Sequence, residues 1–340
     1  MKTQLLPATD ESLALAARLF AEGQLVAFPT ETVYGLGAHA LDRAAVLGIF
    51  AAKGRPADNP LIVHIHDRSQ LDGICEINDL AVRLMDAFWP GPLTIILPRK
   101  AAVPDEVTAK LDTVAVRLPS HPVAMALLKA CNLPIAAPSA NRSGKPSPTS
   151  AKHVFDDMDG RIPLIIDGGE SDVGVESTVV SLTGDTAVVL RPGGITPEMI
   201  AAVLGTCEVA DSVMRPLREG EEAPSPGMKH KHYAPKAPMT LYAGEKEKVA
   251  AYICQEYDLL PAGDALILAA HDHLPLYADR QLFDLGPAAA SAAHALFAAL
   301  RHADHLGVRR VFSEAYPEEG VGLALMNRMA RAAGFDIVHL

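Results

Sequence analysis

Short apolar runs alternate with amphipathic stretches along most of the chain, the pattern of strands and helices taken in turn. Residues 25–28 (LVAF) form a strand-length apolar run closed by Pro29, and a hydroxyl-rich turn, residues 29–37 (PTETVYGLG), follows it. Asp42 then caps a helix whose Val46, Ile49 and Phe50 share a face, with Lys53 in its last turn and Gly54 just past it, where a left-handed residue is expected. A second strand carries His64 and His66, two residues apart and so on one side.

The same reading extends both ways. Upstream, Thr9 or Asp10 starts a helix through Phe20. Downstream, Asn78 caps a helix to Phe88 that Trp89-Pro90-Gly91-Pro92 stops, and residues 93–97 and 113–118 read as strands. A helix over 122–131, a short strand over 134–137 and a polar loop over 138–147 come next. A strand over 164–167, a hairpin over 177–191 turning at Gly184-Asp185, and a helix capped by Thr196 and ending at Gly205 complete this half. Periodicity then fails between residues 206 and 238, where charge, proline and glycine dominate. Beyond it, strands at 239–242, 265–270, 309–312 and 336–339 alternate with helices near 245–257, 288–305 and 322–333. The expected organisation is a mixed α/β domain over 1–206, an interdomain linker over 207–238 and a smaller open α/β, Rossmann-like domain over 239–340.

Composition narrows the partners. The 340 residues carry a net charge of -11, with 17 basic against 23 acidic residues through Thr206 and 13 against 18 after it. Neither half has the basic excess of a protein that grips a phosphate backbone, so nucleic acid as principal ligand is disfavoured and only a weak, local RNA contact is allowed. Cys75, Cys131, Cys207 and Cys254 form no CxxC pair, which argues against structural zinc and against a disulfide framework. No signal-peptide pattern or bilayer-length apolar run is present, so a soluble, cytoplasmic protein is expected.

Candidate chemistry concentrates in a few stretches. Gly35-Leu36-Gly37-Ala38-His39-Ala40 satisfies GxGxxA, but a dinucleotide fingerprint needs its first glycine at a strand end and its last position in a helix; six residues separate Phe28 from Gly35, and the helix begins only after Asp42. The glycines suit close packing or a tight turn instead. Lys53 and Arg55 leave a helix end together, ahead of Asn59, and combine a point charge with a planar fork, as phosphoryl or nucleotidyl transfer requires. A dipole-complementing Lys53 and a solvated Arg55 are the plain alternative. Ser139, Asn141, Arg142, Ser143, Lys145 and Ser147 directly follow a strand and are expected at a carboxyl edge of the sheet. His64 and His66 permit a metal without a recognisable third ligand. Arg117 suits a substrate carboxylate or a salt bridge, and the linker's Tyr233 could lie on a base as part of a flap. No GxSxG, HExxH or Walker loop occurs.

Several of these stretches together resemble one family. FPTETVYGLG (28–37), KGRP (53–56) with NPL from Asn59, PGPLT (90–94), VAVRLP (114–119), PSAN (138–141) and ESTVV (176–180) are similar to the YrdC-like fold, a twisted mixed sheet. With SPGMKHKHYAP (225–235) and a further α/β domain, the chain resembles the longer, two-domain threonylcarbamoyl-AMP synthases of that family. The resemblance implies a nucleotidyltransferase that joins L-threonine, bicarbonate and ATP into L-threonylcarbamoyl-AMP and pyrophosphate, with the product passed to a separate tRNA threonylcarbamoyl transferase complex. It places L-threonine at Thr32, His64, Arg117 and Ser177. ATP falls to Lys53, Arg55, Asn59, Thr113, Ser139, Asn141, Ser147 and Arg191, with Tyr233 closing over it; Lys53 and Arg55 are the catalytic candidates. Mg²⁺ would accompany ATP, with no protein ligand assigned. Ala137 stands where some relatives carry a hydroxyl, so any contact there falls to its backbone. The competing readings are an RNA-binding or ribosome-associated module and a carbamoyl transferase of the hydrogenase-maturation type.

Overall fold

A computed structural model describes residues 2–215 and 233–340. Its first half opens with β1 (Gln4–Pro7), α1 (Asp10–Ala21), capped by Thr9 Oγ1, and the hairpin β2 (Val26–Phe28) and β3 (Gly35–His39). Next come α2 (Arg43–Lys53), β4 (Ile62–His64), α3 (Asp79–Phe88), β5 (Leu93–Pro98), a single turn α4 (Asp105–Thr108) and β6 (Thr113–Arg117). Then follow α5 (Pro122–Cys131), β7 (Ile135–Ala136), α6 (Ala151–Met158), β8 (Leu164–Asp167), β9 (Thr178–Ser181), β10 (Val188–Arg191), α7 (Pro197–Leu204) and β11 (Glu208–Val209). All eleven strands join one mixed sheet in the order β1-β8-β2-β3-β7-β4-β6-β5-β9-β10-β11.

Strand periodicity divides this sheet into two faces. Val63, Val114, Val116, Ile95 and Leu97 point into the main core with Val46 and Ile49 of α2 and Leu84 and Met85 of α3. Their neighbours Ile62, Ala115, Ile96 and Val179 form a small apolar floor on the opposite face. At the far end, α1 and α5 pack together over Val26, Phe28, Leu164 and Ile166.

The second half holds β12 (Met239–Ala243), α8 (Lys246–Asp258), β13 (Ala265–Ala269), β14 (Leu282–Asp284), α9 (Ala289–Leu306), β15 (Arg310–Glu314), α10 (Val321–Ala332) and β16 (Ile337–His339). Its five strands are all parallel, in the order β14-β13-β15-β12-β16. The two halves share apolar packing, since Val33 and Val175 sit in the same cluster as Leu296, Phe297 and Met329. At Gly174 (φ +77°) the approach is so close that a Cβ would lie 2.3 Å from the His294 Cα of α9. Among the described residues, no helix is long and apolar enough to cross a membrane.

Four features depart from the sequence reading. Gly35-Leu36-Gly37 belongs to β3, not to the turn, because these residues carry a full antiparallel register with β2 (Val26 to Gly37, Phe28 to Gly35). The strand of His64 ends at that residue, so His66 no longer shares its face and instead meets Asn132 Oδ1 at 2.8 Å. The loop after β7 does not lie at the carboxyl ends of the neighbouring strands: β7 is antiparallel to β4, and its exit lies at the amino end of β4. Finally, β1 and β14 are too short to stand out by pattern, and α6, which the sequence reading did not assign, follows a Ser150 cap with Ala151, Val154, Phe155 and Met158 at helical spacing. The flap expected around 225–235 falls, up to His232, outside the described residues.

Gly37 explains the glycine pattern in steric terms. A Cβ there would sit 2.8 Å from Ile135 Cγ2 and Phe20 Cζ and 2.9 Å from Phe28 Cε1. Gly37→Ala is therefore expected to lower stability by about 1–3 kcal/mol in urea unfolding; an unchanged midpoint would contradict the packing role.

Candidate active site

The apolar floor leads into a polar row fixed by strand register. His64 lies opposite Arg117, Arg117 opposite Thr94, and Thr94 opposite Val179, whose strand is preceded by Ser177 two residues earlier on the same face. The β2–β3 loop closes on this row. Thr30 Oγ1 donates to the Val33 carbonyl at 2.6 Å, and the resulting turn presents Thr32 Oγ1, which accepts from Arg117 Nη1 at 2.9 Å.

Arg117 is almost fully buried, and each of its nitrogens has a protein partner. Nη2 pairs with Glu31 Oε1 at 2.7 Å and Nε donates to the Gly91 carbonyl at 3.3 Å. Only Nη1 and Nε donate hydrogen bonds; Nη2 is held at ion-pair distance of Glu31 without one, so its N–H groups and the second one on Nη1 are left for a ligand. Burial disfavours the Glu31 carboxylate, but the Arg117 charge and the donors from Arg117 and the Ser120 backbone overcome it and hold its pKa below the usual value. His64 is the opposite case: burial, reinforced by the Arg117 charge, pushes its pKa down to about 3. It stands neutral at physiological pH, with Nδ1 3.2 Å from the Ile62 carbonyl oxygen.

At the amino end of β4 the walls are built differently. Lys53 turns inward from the last turn of α2 and donates to the Ser139 carbonyl at 2.5 Å and the Asn141 carbonyl at 2.7 Å. Burial, then the nearby Arg55 charge, holds its pKa well below that of an ordinary lysine. Asn141 continues the brace, with Nδ2 donating to the Arg142 and Lys145 carbonyls at 2.9 Å. Arg55 lies over the Phe50 ring, 5.4 Å from its centroid, and burial lowers its pKa to about 10. Asn59 is fully buried, yet neither atom of its amide has a protein partner. Such a group points to a ligand or water that completes it.

The third wall links both halves of the chain. Ser177 Oγ lies 2.7 Å from Thr94 Oγ1 and accepts from Arg191 Nη2 at 3.0 Å. Burial, followed by the Arg328 charge, lowers the Arg191 pKa to about 10. Glu176 accepts from Ser147 Oγ at 2.5 Å and pairs with Arg328 of α10 at 2.7 Å. Tyr233, in a left-handed conformation (φ +65°), stacks on Phe297 of α9 with centroids 5.1 Å apart.

A cavity with about 640 Å³ of empty space, counting the open space at its mouth, lies among these walls. Of the residues expected from sequence, Thr32, Arg55, His64, Arg117, Ser139, Asn141, Ser177, Arg191 and Tyr233 line it. Lys53, Asn59 and Ser147 stand behind that lining, and Thr113 shares the face of Ala115 and Arg117 farther toward the amino end of β6. Ala137 lines the cavity too, but its N–H is donated to the Ile62 carbonyl, so its carbonyl is the backbone group left to a ligand. Sequence reading assigned no role to Thr30, Glu31, Thr94, Glu176 or Arg328. The first four fall inside stretches that carry the family resemblance, whereas nothing local marks Arg328. Among the described residues no group of three or more His, Cys, Asp or Glu side chains could hold a metal.

Comparison with known proteins fits this architecture. Residues 18–193 match the Sua5/YciO/YrdC family, described as Telomere recombination, and residues 195–334 match the Threonylcarbamoyl-AMP synthase, C-terminal domain. The Threonylcarbamoyl-AMP synthase of Bacillus subtilis (strain 168) is 48% identical over 99% of this chain and 97% of its own length. That of Pyrococcus abyssi (strain GE5 / Orsay) is 48% identical over 96% of each chain. A crystal structure of P. abyssi Sua5 complexed with L-threonine superposes with a TM-score of 0.91 at 44% identity, covering 99% of this chain and 100% of that one. With both domain families in order along nearly the full length, the chain belongs to the two-domain threonylcarbamoyl-AMP synthase family of YrdC-like proteins.

Proposed function

We propose that this chain is an L-threonylcarbamoyladenylate synthase, a nucleotidyltransferase that makes L-threonylcarbamoyl-AMP and pyrophosphate from L-threonine, bicarbonate and ATP. The observation that carries the reading is the single cavity in which Thr32, His64, Arg117 and Ser177 meet Arg55, Ser139, Asn141 and Arg191. Family membership at 48% identity supports the same activity.

The Arg117 N–H groups that make no protein hydrogen bond, on Nη2 and Nη1, would receive the threonine carboxylate, and the Glu31 charge beside Nη2 would hold the guanidinium in place. Neutral His64 and the Thr32 and Ser177 hydroxyls would meet the amine and side-chain hydroxyl. Bicarbonate yields carbon dioxide and hydroxide; the neutral amine attacks the carbon dioxide and its released proton joins the hydroxide as water, leaving a carbamate, whose oxygen then attacks the α-phosphorus as the bond to pyrophosphate breaks. No protein nucleophile is needed, which suits a site of Lys, Arg, Ser, Thr and Asn that works by positioning and charge neutralisation. Arg55, Arg117 and Arg191 line the cavity with a single lining carboxylate, Glu176, while Glu31 pairs with Arg117 behind the lining, so the lining keeps a positive excess for anionic substrates. Glu31 and Glu176 are each paired with an arginine, and among the described residues no cluster of carboxylates forms a cage for Mg²⁺. The ion would be held by ATP oxygens and water, where it neutralises phosphate charge. Tyr233 would help exclude water from the carbamate. The product would pass in the cytoplasm to a separate tRNA threonylcarbamoyl transferase complex.

The pure chain is expected to release pyrophosphate from ATP only when both threonine and bicarbonate are present; tight RNA binding without turnover would favour the RNA-binding module. Lys53→Ala and Arg55→Ala are each expected to lower turnover at least about tenfold with unchanged circular dichroism, and full activity in both would remove them from the site. For His64, the unfolded chain takes up a proton below pH 6.5 while the folded chain does so only near pH 3, so stability is lost as the pH falls. Between about pH 7.5 and 5 this residue alone should cost about 2 kcal/mol in urea unfolding, and His64→Gln should remove that dependence. Equal slopes in the two proteins would show that His64 titrates normally.

A further inference from the structure

Arg328 heads the largest fully buried side chains in the structure, and it comes from α10, outside the sheet that carries the cavity. From Ala324 to Ala332 every residue of that helix is buried. A guanidinium there is costly unless its donors are matched. They are matched in a particular direction: Nε meets Glu176 Oε2 at 2.7 Å and Nη2 donates to the Pro192 carbonyl at 3.0 Å, while Nη1 donates to the neighbouring Asn327 Oδ1 at 2.6 Å. Glu176 lines the cavity, and its other oxygen accepts from Ser147 Oγ at 2.5 Å. Pro192 directly follows Arg191. The Tyr233 ring lies 5.8 Å from the Arg328 guanidinium. One side chain of the C-terminal half therefore touches the Ser147 loop through Glu176, and the Arg191 segment and Tyr233 directly.

We propose that Arg328 is a positioning residue for the nucleotide half of the cavity, so that the C-terminal domain completes the ATP site through the chain Arg328–Glu176–Ser147. The inference rests on the reading of that half as the ATP subsite. Without Arg328, Glu176 would keep a buried charge with no cation fixing its second oxygen. It would turn toward Arg191 or draw in water, and the Ser147 hydroxyl would lose its fixed acceptor. The amino-acid end, organised by Arg117 and Glu31, does not depend on this chain of contacts.

The test uses the full chain and measures ATP affinity by calorimetry without threonine, together with KM for ATP and for threonine. Arg328→Met is expected to weaken ATP binding at least about tenfold, equivalent to about 1.4 kcal/mol, while KM for threonine stays within about threefold. Because Ser147 lies on the same relay, adding Ser147→Ala to Arg328→Met should cost no more than about twofold further. Arg331→Met, which removes a neighbouring contact of the same helix to the Ser212 carbonyl, should leave ATP affinity unchanged. If Arg328→Met does not fold, Glu176→Gln keeps the shape and removes the charge, and it should weaken ATP without raising KM for threonine. Unchanged ATP affinity in a folded variant, full multiplication of the Arg328 and Ser147 effects, or an equal loss in Arg331→Met would each overturn the proposal. A wild-type chain that binds ATP yet makes no threonine-dependent pyrophosphate would overturn the proposed activity, while the Arg328 comparison would still be readable from binding alone.

Discussion

A guanidinium held under the face of a sheet, out of water, is the constraint around which the site is arranged. Arg117 and Glu31 are 3% and 5% exposed, and their 2.7 Å contact is sheltered from solvent screening. Removing one partner from such a pair leaves an uncompensated buried charge, at a cost of about 3–5 kcal/mol. To keep the pair, the end of β6, the β2–β3 loop, the Gly91 turn and the backbone of Ser120 must all converge on one point. The same charge helps keep His64 neutral, so the charged and the neutral members of the polar row are set together by one electrostatic choice.

The two halves of the chain divide the remaining work. The mixed sheet supplies a floor whose polar row is fixed by register, while the parallel domain supplies a roof: Phe297 beneath Tyr233 and Arg328 behind Glu176. Arg301 of α9 adds a second tie, reaching the buried Asp157 carboxylate at 2.8 Å alongside the half-buried Lys145 at 2.6 Å. Shared apolar packing around Val33 and Val175 makes this a continuous interior, not a loose contact between domains. The carbamate of the proposed reaction would gain most from such an arrangement, because its lifetime would depend on keeping water away.

What the sequence made legible follows from the range of the interactions involved. Helices with local caps read well: Asp42, Asn78 and Thr196 each cap the helix they precede, and α5 has the expected limits. The cations of KGRP and the polar residues Ser139 and Asn141 of PSAN stood out because they interrupt apolar periodicity, and the fold brings them together. Their roles were less legible. Lys53 looks solvent-facing at a helix end, and only the three-dimensional path of the 139–141 loop turns its ammonium onto two carbonyls. The strand of Gly35 and Gly37 was hidden because its packing depends on Phe20 and Ile135, distant in sequence. Glu176 and Arg328 lie 152 residues apart, and no local pattern announces a pair of that separation.

On the proposed function, the amino acid and the nucleotide lie along one sheet face, with Arg117 at the amino-acid end. A crystal structure of the chain with L-threonine and a non-hydrolysable ATP analogue tests it most directly. The account predicts the threonine carboxylate on Arg117, with Glu31 still paired behind it, and the phosphates between Arg55 and Arg191. Threonine bound away from Arg117, or a nucleotide outside this cavity, would contradict it.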